Sequence, residues 1–459
     1  MKKELENRKS FLEGSIWDKM ILFVIPLVVT SIIQQLFNTA DKVIAGRFIS
    51  ENAYGAIGLT STISNFFIEF FMGFSGATTV VIAKYIGMER KDRARAAVNT
   101  AVPLGLFIGI FIAAAGTCLT ERLLNILDCP AELFGNASIY LKLYFMGMPF
   151  FMLYNFSAAV SRSNGNTKLP FYCLLLGGVV KLSANMLLTN TTNLGVAGFG
   201  IATIIANAVS SVSLIYFLEK GEEYLRPEIK KIRMDKDCLF ELIRIGLPSG
   251  FLNSVYSVSN LITQRAINSL GADAVKANSA AGDIEIYIQF LGNAFAQAAI
   301  TFTGQNYGAG NLKRCNRVTL VSLGLCNALT VSLSLAAFFT GRSLLGIFGV
   351  SAVVIEIAMT RMQFTMLFKF IQSVMDIMAG CLQGYGYTFV PAICTIVGVC
   401  GVRLLWIYTV FPQEKTLATL MFIYPVTQGI AALCHTVCYL NVRRKIRNGT
   451  YGKVAVKER

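Results

Sequence analysis

The chain has 459 residues, 54% hydrophobic and only 15% charged, with a net charge of +15 and a mean hydropathy of +0.57. Soluble domains carry roughly 25% charged residues, so a string of soluble domains is excluded and a polytopic membrane protein is expected. A single histidine, His435, leaves no basis for a multi-histidine metal site or a Ser-His-Asp enzyme, so neither catalysis nor a cofactor is expected.

A hydrocarbon core about 30 Å thick takes about 20 residues of helix per crossing. Twelve segments meet that length, near 20–42, 53–82, 95–118, 136–160, 168–190, 195–218, 239–268, 275–304, 316–340, 355–382, 388–411 and 416–442. The first apolar run continues too far and lacks a small-residue cleavage site, so it reads as a span, not a secretory signal. The eleven cysteines show no paired CxxC spacing and read as small apolar residues in a reduced cell.

With the N-terminus inside, the inner ends and loops hold 29 Lys and Arg against 7 at the outer ends, with 5 within segments. Cytoplasmic loops collect such residues, so both termini are expected to be cytoplasmic in a multi-pass cell-membrane protein. The basic balance is then topology and attraction to anionic lipid, not a nucleic-acid footprint.

Sliding the sequence on itself by 221 residues aligns Gly87 and Arg93 with Gly308 and Arg314. The same shift aligns Gly165, Thr167, Pro170, Cys173 and Gly177 with Gly386, Thr388, Pro391, Cys394 and Gly398. In the first segment the shift becomes 222, pairing Pro26 with Pro248 and Asn38 with Asn260. Six crossings per half, an even number, give parallel repeats related by an axis along the membrane normal. The expected fold is therefore all-α, with twelve transmembrane helices in two six-helix lobes. The N-terminal lobe is placed at 1–218, a cytoplasmic linker at 219–238, the C-terminal lobe at 239–442 and a basic tail at 443–459. A duplicated transporter is the reading preferred over a channel or receptor, because the polar residues form no continuous pore-lining ring.

Polar side chains within spans face neighbours or a cavity. Thr30, Gln34, Asn38 and Asp41 form one stripe on segment 1, and Asn253, Ser257, Asn260 and Gln264 the equivalent on segment 7. Gly282, Glu285, Gln289, Asn293 and Gln297 form a third, which favours Glu285 over Asp283 as the inward acid. At 1.5 Å per residue, Asp41 lies about 30 Å along segment 1, near the levels of Asn185 and Thr189. Thr203 sits about 13 Å below the outer surface. Four oxygen-bearing side chains can therefore converge as a Na⁺ or H⁺ site; the alternative is that Asp41 caps a helix end beside Lys42. Glu69, Lys142, Lys181, Lys369, Asp376 and Arg403 are further charges in apolar runs. Asp376 lies near the inner end of segment 10, where water can solvate it. Arg403 is too deep to snorkel and needs an acidic or carbonyl partner.

FNTADKVIAGRF (37–48), AKYIGMERKDRARAAV (83–98) and GQNYGAGNLKRCNRV (304–318) carry a resemblance, with SRSNGNTKLP (161–170), LQGYGYTFVP (382–391) and LGVAGFGIAT (194–203). In this order on a duplicated chain, they resemble the multidrug and toxic compound extrusion (MATE) transporters, in their bacterial drug-efflux branch. The resemblance implies two lobes in a V around a central cavity, and export driven by an inward cation gradient. It implies a cation site at Asp41, Asn185 and Thr203. The departure is Thr189, where the family often has a second aspartate. It further implies a monomeric antiporter for organic cations or amphipathic toxins, exchanged for H⁺ or Na⁺. Gln34, Asn38, Asn260, Glu285, Gln289 and Asp376 are the candidate substrate-contacting residues. A lipid-linked precursor flippase of the same superfamily is the alternative, disfavoured by a count of twelve rather than fourteen segments.

Overall fold

The computed structural model describes residues 11–48, 51–126, 129–192, 194–228, 234–347 and 351–448. Within lipid every backbone donor and acceptor must be satisfied internally, which leaves helices as the solution for long apolar runs. In the first half the helices are α1 (Trp17–Phe48), α2 (Glu51–Gly87), α3 (Lys91–Ile126), α4 (Ala131–Met146), α5 (Met148–Ser163), α6 (Lys168–Thr191) and α7 (Val196–Glu219). The second half holds α8 (Lys236–Asn268), α9 (Ala272–Gly308), α10 (Leu312–Phe339), the short α11 (Gly341–Gly346), α12 (Ala352–Met366) and α13 (Lys369–Gly384). It ends with α14 (Phe389–Thr395), a π-helical turn (Ile396–Gly401), α15 (Val402–Thr409) and α16 (Leu417–Arg447). No strand occurs among the described residues.

Each of the twelve expected segments falls on a helix or a broken helix, in order. Among the described residues eight helices are long and apolar enough to cross a membrane. Two bent pairs, α4 with α5 at 44° and α12 with α13 at 43°, bring this to ten. The remaining two long helices, α8 and α9, carry the polar stripes that lower their apolarity.

The duplication is written in the backbone. Gly165 and Gly386 have φ of 84° and 85°, and Glu89 and Gly310, also 221 apart, have φ of 57° and 74°. Packing repeats as well. On α3, Gly105, Gly109 and Gly116 lie against Phe156, Pro149 and Phe145, and a Cβ on Gly109 would come within 2.5 Å of the Pro149 Cα. The equivalent positions on α10 are Cys326, Thr330 and Ala337, all buried. Small residues let backbones approach where lipid supplies no hydrophobic drive.

The chain forms two compact units, and the divisions at 25/26, 86/87 and 250/251 fall inside helices, with another at 89/90 in the turn between α2 and α3. One contains residues 26–86 and 90–250; the other contains residues 11–25, 87–89 and 251–448. The division is therefore not at the expected lobe boundaries of 218 and 239. Phe11 stacks on Phe302 with ring centroids 3.9 Å apart, and the Met20 sulfur accepts from Ser322 Oγ at 3.5 Å, which ties the start of the chain to the second unit. Reciprocally, Gly246 of α8 packs against Phe74 in the first unit.

The stretch read as a linker is clamped to the first unit. Arg95 pairs with Glu228 at 2.6 Å and with Glu223 at 3.5 Å, and the Glu228 N–H donates to Asn99 Oδ1 at 2.9 Å. Asp235 caps α8 by accepting from the Cys238 N–H at 2.9 Å, a bond that holds its carboxyl below the usual carboxylate range. The tail placed at 443 begins as helix, since α16 runs on to Arg447.

Candidate functional site

In the first unit, α1 comes close to α6 at Gly178, where a Cβ would overlap the Phe37 ring. Lys181 and Asn185, three and seven residues further on, share that face of α6. Asp41 of α1 is 3% exposed and held on both oxygens. Lys181 Nζ lies 2.5 Å from Oδ2, and Asn185 Nδ2 donates to Oδ1 at 2.8 Å. Asn185 is fully buried, and its Oδ1 has no hydrogen-bond partner.

The structure thus brings together two of the four residues expected to converge. Thr203 turns back on its own helix, donating from Oγ1 to the Phe199 carbonyl at 2.9 Å. The side chains of Thr189 and Asn38 lie outside the described residues, and Gln34 is exposed on α1. Lys181 is the residue the oxygen-ligand reading missed. It was legible as a charge in an apolar run, and its place four residues before Asn185 puts it on the same helical face. Asp41 is no helix cap: it sits within α1, locked by α6. Of the other intramembrane charges, Lys142 finds Glu121 at 2.7 Å.

The second unit contains a larger buried polar cluster. Glu285 of α9 meets Arg361 Nη2 at 2.9 Å and Lys369 Nζ at 3.5 Å. The break between α12 and α13 lets one carboxylate take both cations, since Arg361 precedes it and Lys369 starts the next helix. Lys369 also donates to Gln289 Oε1 at 3.0 Å, and Gln289 Nε2 donates to Asn293 Oδ1 at 3.0 Å. Arg361 donates to the Asn278 side-chain oxygen, and Asn278 Nδ2 to Gln264 Oε1 at 3.0 Å. Asp283 is exposed, whereas Glu285 lies on the face packed against α12 and α13. Asp376 is half-buried within α13, where its Oδ2 lies 3.8 Å from a Cβ placed on Gly292 of α9. Arg403 is fully buried; its Nη1 donates to Asn260 Oδ1 at 2.8 Å, and its guanidinium carbon lies 4.5 Å from the Tyr424 ring centroid.

Ionisable side chains paired inside apolar helices mark substrate and ion pathways. Combined with an internally duplicated, all-helical, multi-pass chain, they define a membrane transporter. A family model described as MatE matches residues 26–187 and again 248–409, the two stretches starting at Pro26 and Pro248. The chain belongs to this family of multidrug and toxic compound extrusion transporters. It is 23% identical over 397 residues to the probable multidrug resistance protein YoeA of Bacillus subtilis, covering 85% of this chain and 86% of that one. To the probable multidrug resistance protein NorM of Thermotoga maritima it is 25% identical over 392 residues, covering 84% of each. A crystal structure of MATE in the bent conformation superposes with a TM-score of 0.88 at 18% identity, covering 96% of this chain and 98% of that one.

Proposed function

We propose that this protein is a proton-coupled antiporter that exports amphipathic small molecules, organic cations among them, across the cell membrane. The observation that carries the coupling is the Lys181–Asp41 pair. Both Asp41 oxygens are engaged, one by an ammonium and one by an amide donor. Sodium at this position would have to displace a tethered cation from the single carboxylate of the pair, placing two positive charges beside one negative charge in a poorly screened site. A proton adds the same charge but bonds covalently to one carboxylate oxygen and needs no further ligands, so it can enter where both oxygens are already engaged. Protonation of Asp41 cancels its charge and releases Lys181. Rotation of the Asn185 amide then lets its unpaired Oδ1 accept the new O–H. Deprotonation restores the ion pair, so the site has two discrete arrangements that a proton gradient can bias. The multidrug names of the relatives support a chemically varied amphipathic cargo. One chain holds both halves of the repeat and serves as the transport unit.

In proteoliposomes, ethidium efflux should follow an imposed pH gradient and show no response to a sodium gradient at fixed pH. Efflux driven by sodium alone would overturn proton coupling. The asymmetry of Lys and Arg supports a cytoplasmic location for both termini and residues 219–238. Impermeant thiol reagents applied outside cells should label a cysteine introduced at Thr191 and spare one at Gly221. The opposite labelling pattern would invert the orientation.

A further inference from the structure

Arg403 is the largest fully buried side chain among the described residues, at 0% exposure. Arginine stays protonated in proteins, so this is a permanent buried charge. Of its donors, Nη1 meets the Asn260 amide oxygen at 2.8 Å, whereas Nε and Nη2 have no hydrogen-bond partner. No carboxylate among the described residues forms an ion pair with it: Glu285 is shared by Arg361 and Lys369 instead. The intramembrane cluster of the second unit therefore sets three bases, Arg361, Lys369 and Arg403, against two acids, Glu285 and Asp376. The count leaves a surplus of one positive charge, and Arg403 has two donors without a partner where Arg361 has one, its Nε.

The surroundings suit an incoming group. Tyr256 and Tyr424 present their rings to the guanidinium at 5.6 and 4.5 Å. The π-helical turn Ile396–Gly401 leads directly into Arg403, and such turns occur frequently at functional sites. Asn260, which accepts from Arg403 Nη1, is exposed on the polar stripe of α8 and gives the site its opening. Resting on the transporter reading above, we propose that Arg403 is the centre of an anion-binding site, taking the carboxylate or sulfonate of an amphipathic monoanion. The two vacant N–H groups match the two oxygens of such a group, and the tyrosine rings take the apolar body next to it. The cargo range then includes anionic amphiphiles, which the multidrug names do not specify.

The test uses purified full-length protein in a neutral detergent, with radiolabelled taurocholate as the monoanionic probe and tetraphenylphosphonium as the cationic one. Asn260→Asp supplies Arg403 with an internal carboxylate in place of the ligand. It should weaken taurocholate binding by about tenfold or more, the factor expected for losing a charge-assisted contact. The melting temperature should not fall, because a buried charge gains a partner. Arg403→Gln should lose taurocholate binding to the same extent. Wild-type affinity in Asn260→Asp, or no taurocholate binding by the wild-type protein, overturns the site. In gradient-loaded vesicles, tetraphenylphosphonium efflux without taurocholate binding would sink this inference and leave the antiporter standing. Taurocholate binding that Asn260→Asp abolishes, with no gradient-driven movement of either probe, would do the reverse. Repeating the binding with phosphatidylglycerol present separates cargo from lipid: displacement assigns the site to a lipid headgroup anion, and unchanged affinity assigns it to a free amphiphile.

Discussion

Asp41→Asn should abolish pH-gradient-driven efflux and lower stability by about 3–5 kcal/mol, the cost of leaving one partner of a buried ion pair uncompensated. Both effects have one origin. The asparagine cannot titrate, so the proton has no site, and Lys181, 12% exposed at its side chain, loses its counter-charge. A second variant separates the two effects. Asp41→Asn combined with Lys181→Met removes both charges at nearly constant volume, and exchanges of this kind are often neutral or stabilising. Its melting temperature should return towards wild type while coupled efflux stays absent. Wild-type pH-driven efflux by Asp41→Asn, or by the double variant, would remove the pair from the coupling mechanism.

The second large effect is expected at Glu285. Glu285→Gln leaves Arg361 and Lys369 facing a neutral amide, so stability should again fall by about 3–5 kcal/mol and efflux should be lost. Asp283→Asn, two residues away on an exposed position, should change stability by no more than about 0.5 kcal/mol and preserve efflux. Adding Arg361→Gln to Glu285→Gln should recover part of the stability, because one unpaired cation disappears with its partner. Detergent melting curves read the ranking directly. A stable, active Glu285→Gln beside an inactive Asp283→Asn would mean that the polar cluster of the second unit does not depend on its carboxylate.

The residues divide by the range over which their information acts. Apolar length is a local property, and the twelve segments could be read from it, including the two that the structure builds from bent pairs. The duplication was equally open to inspection, and it reappears as matched positive-φ positions at Gly165 and Gly386. Helical period is local too, so the stripe through Gly282, Glu285 and Gln289 was enough to separate Glu285 from Asp283. That Asp41 and Asn185 share a level followed from rise per residue alone.

What the sequence by itself determined, then, is the set of helices, their repeat and the face each polar residue occupies. Only the tertiary structure decided which faces meet. Lys181 was visible as an intramembrane charge, but its union with Asp41 depends on α1 approaching α6 at Gly178, a contact between residues more than a hundred positions apart. The sharing of Glu285 by Arg361 and Lys369 depends on a helix break with no proline to announce it. The same holds for the assignment of residues 17–25 and 236–250 to their units, since each stretch continues one unbroken helix across the division whatever it packs against. Periodicity fixes direction around one axis; which ammonium satisfies which carboxylate is settled by the rotation and separation of two axes, and these arise from packing alone.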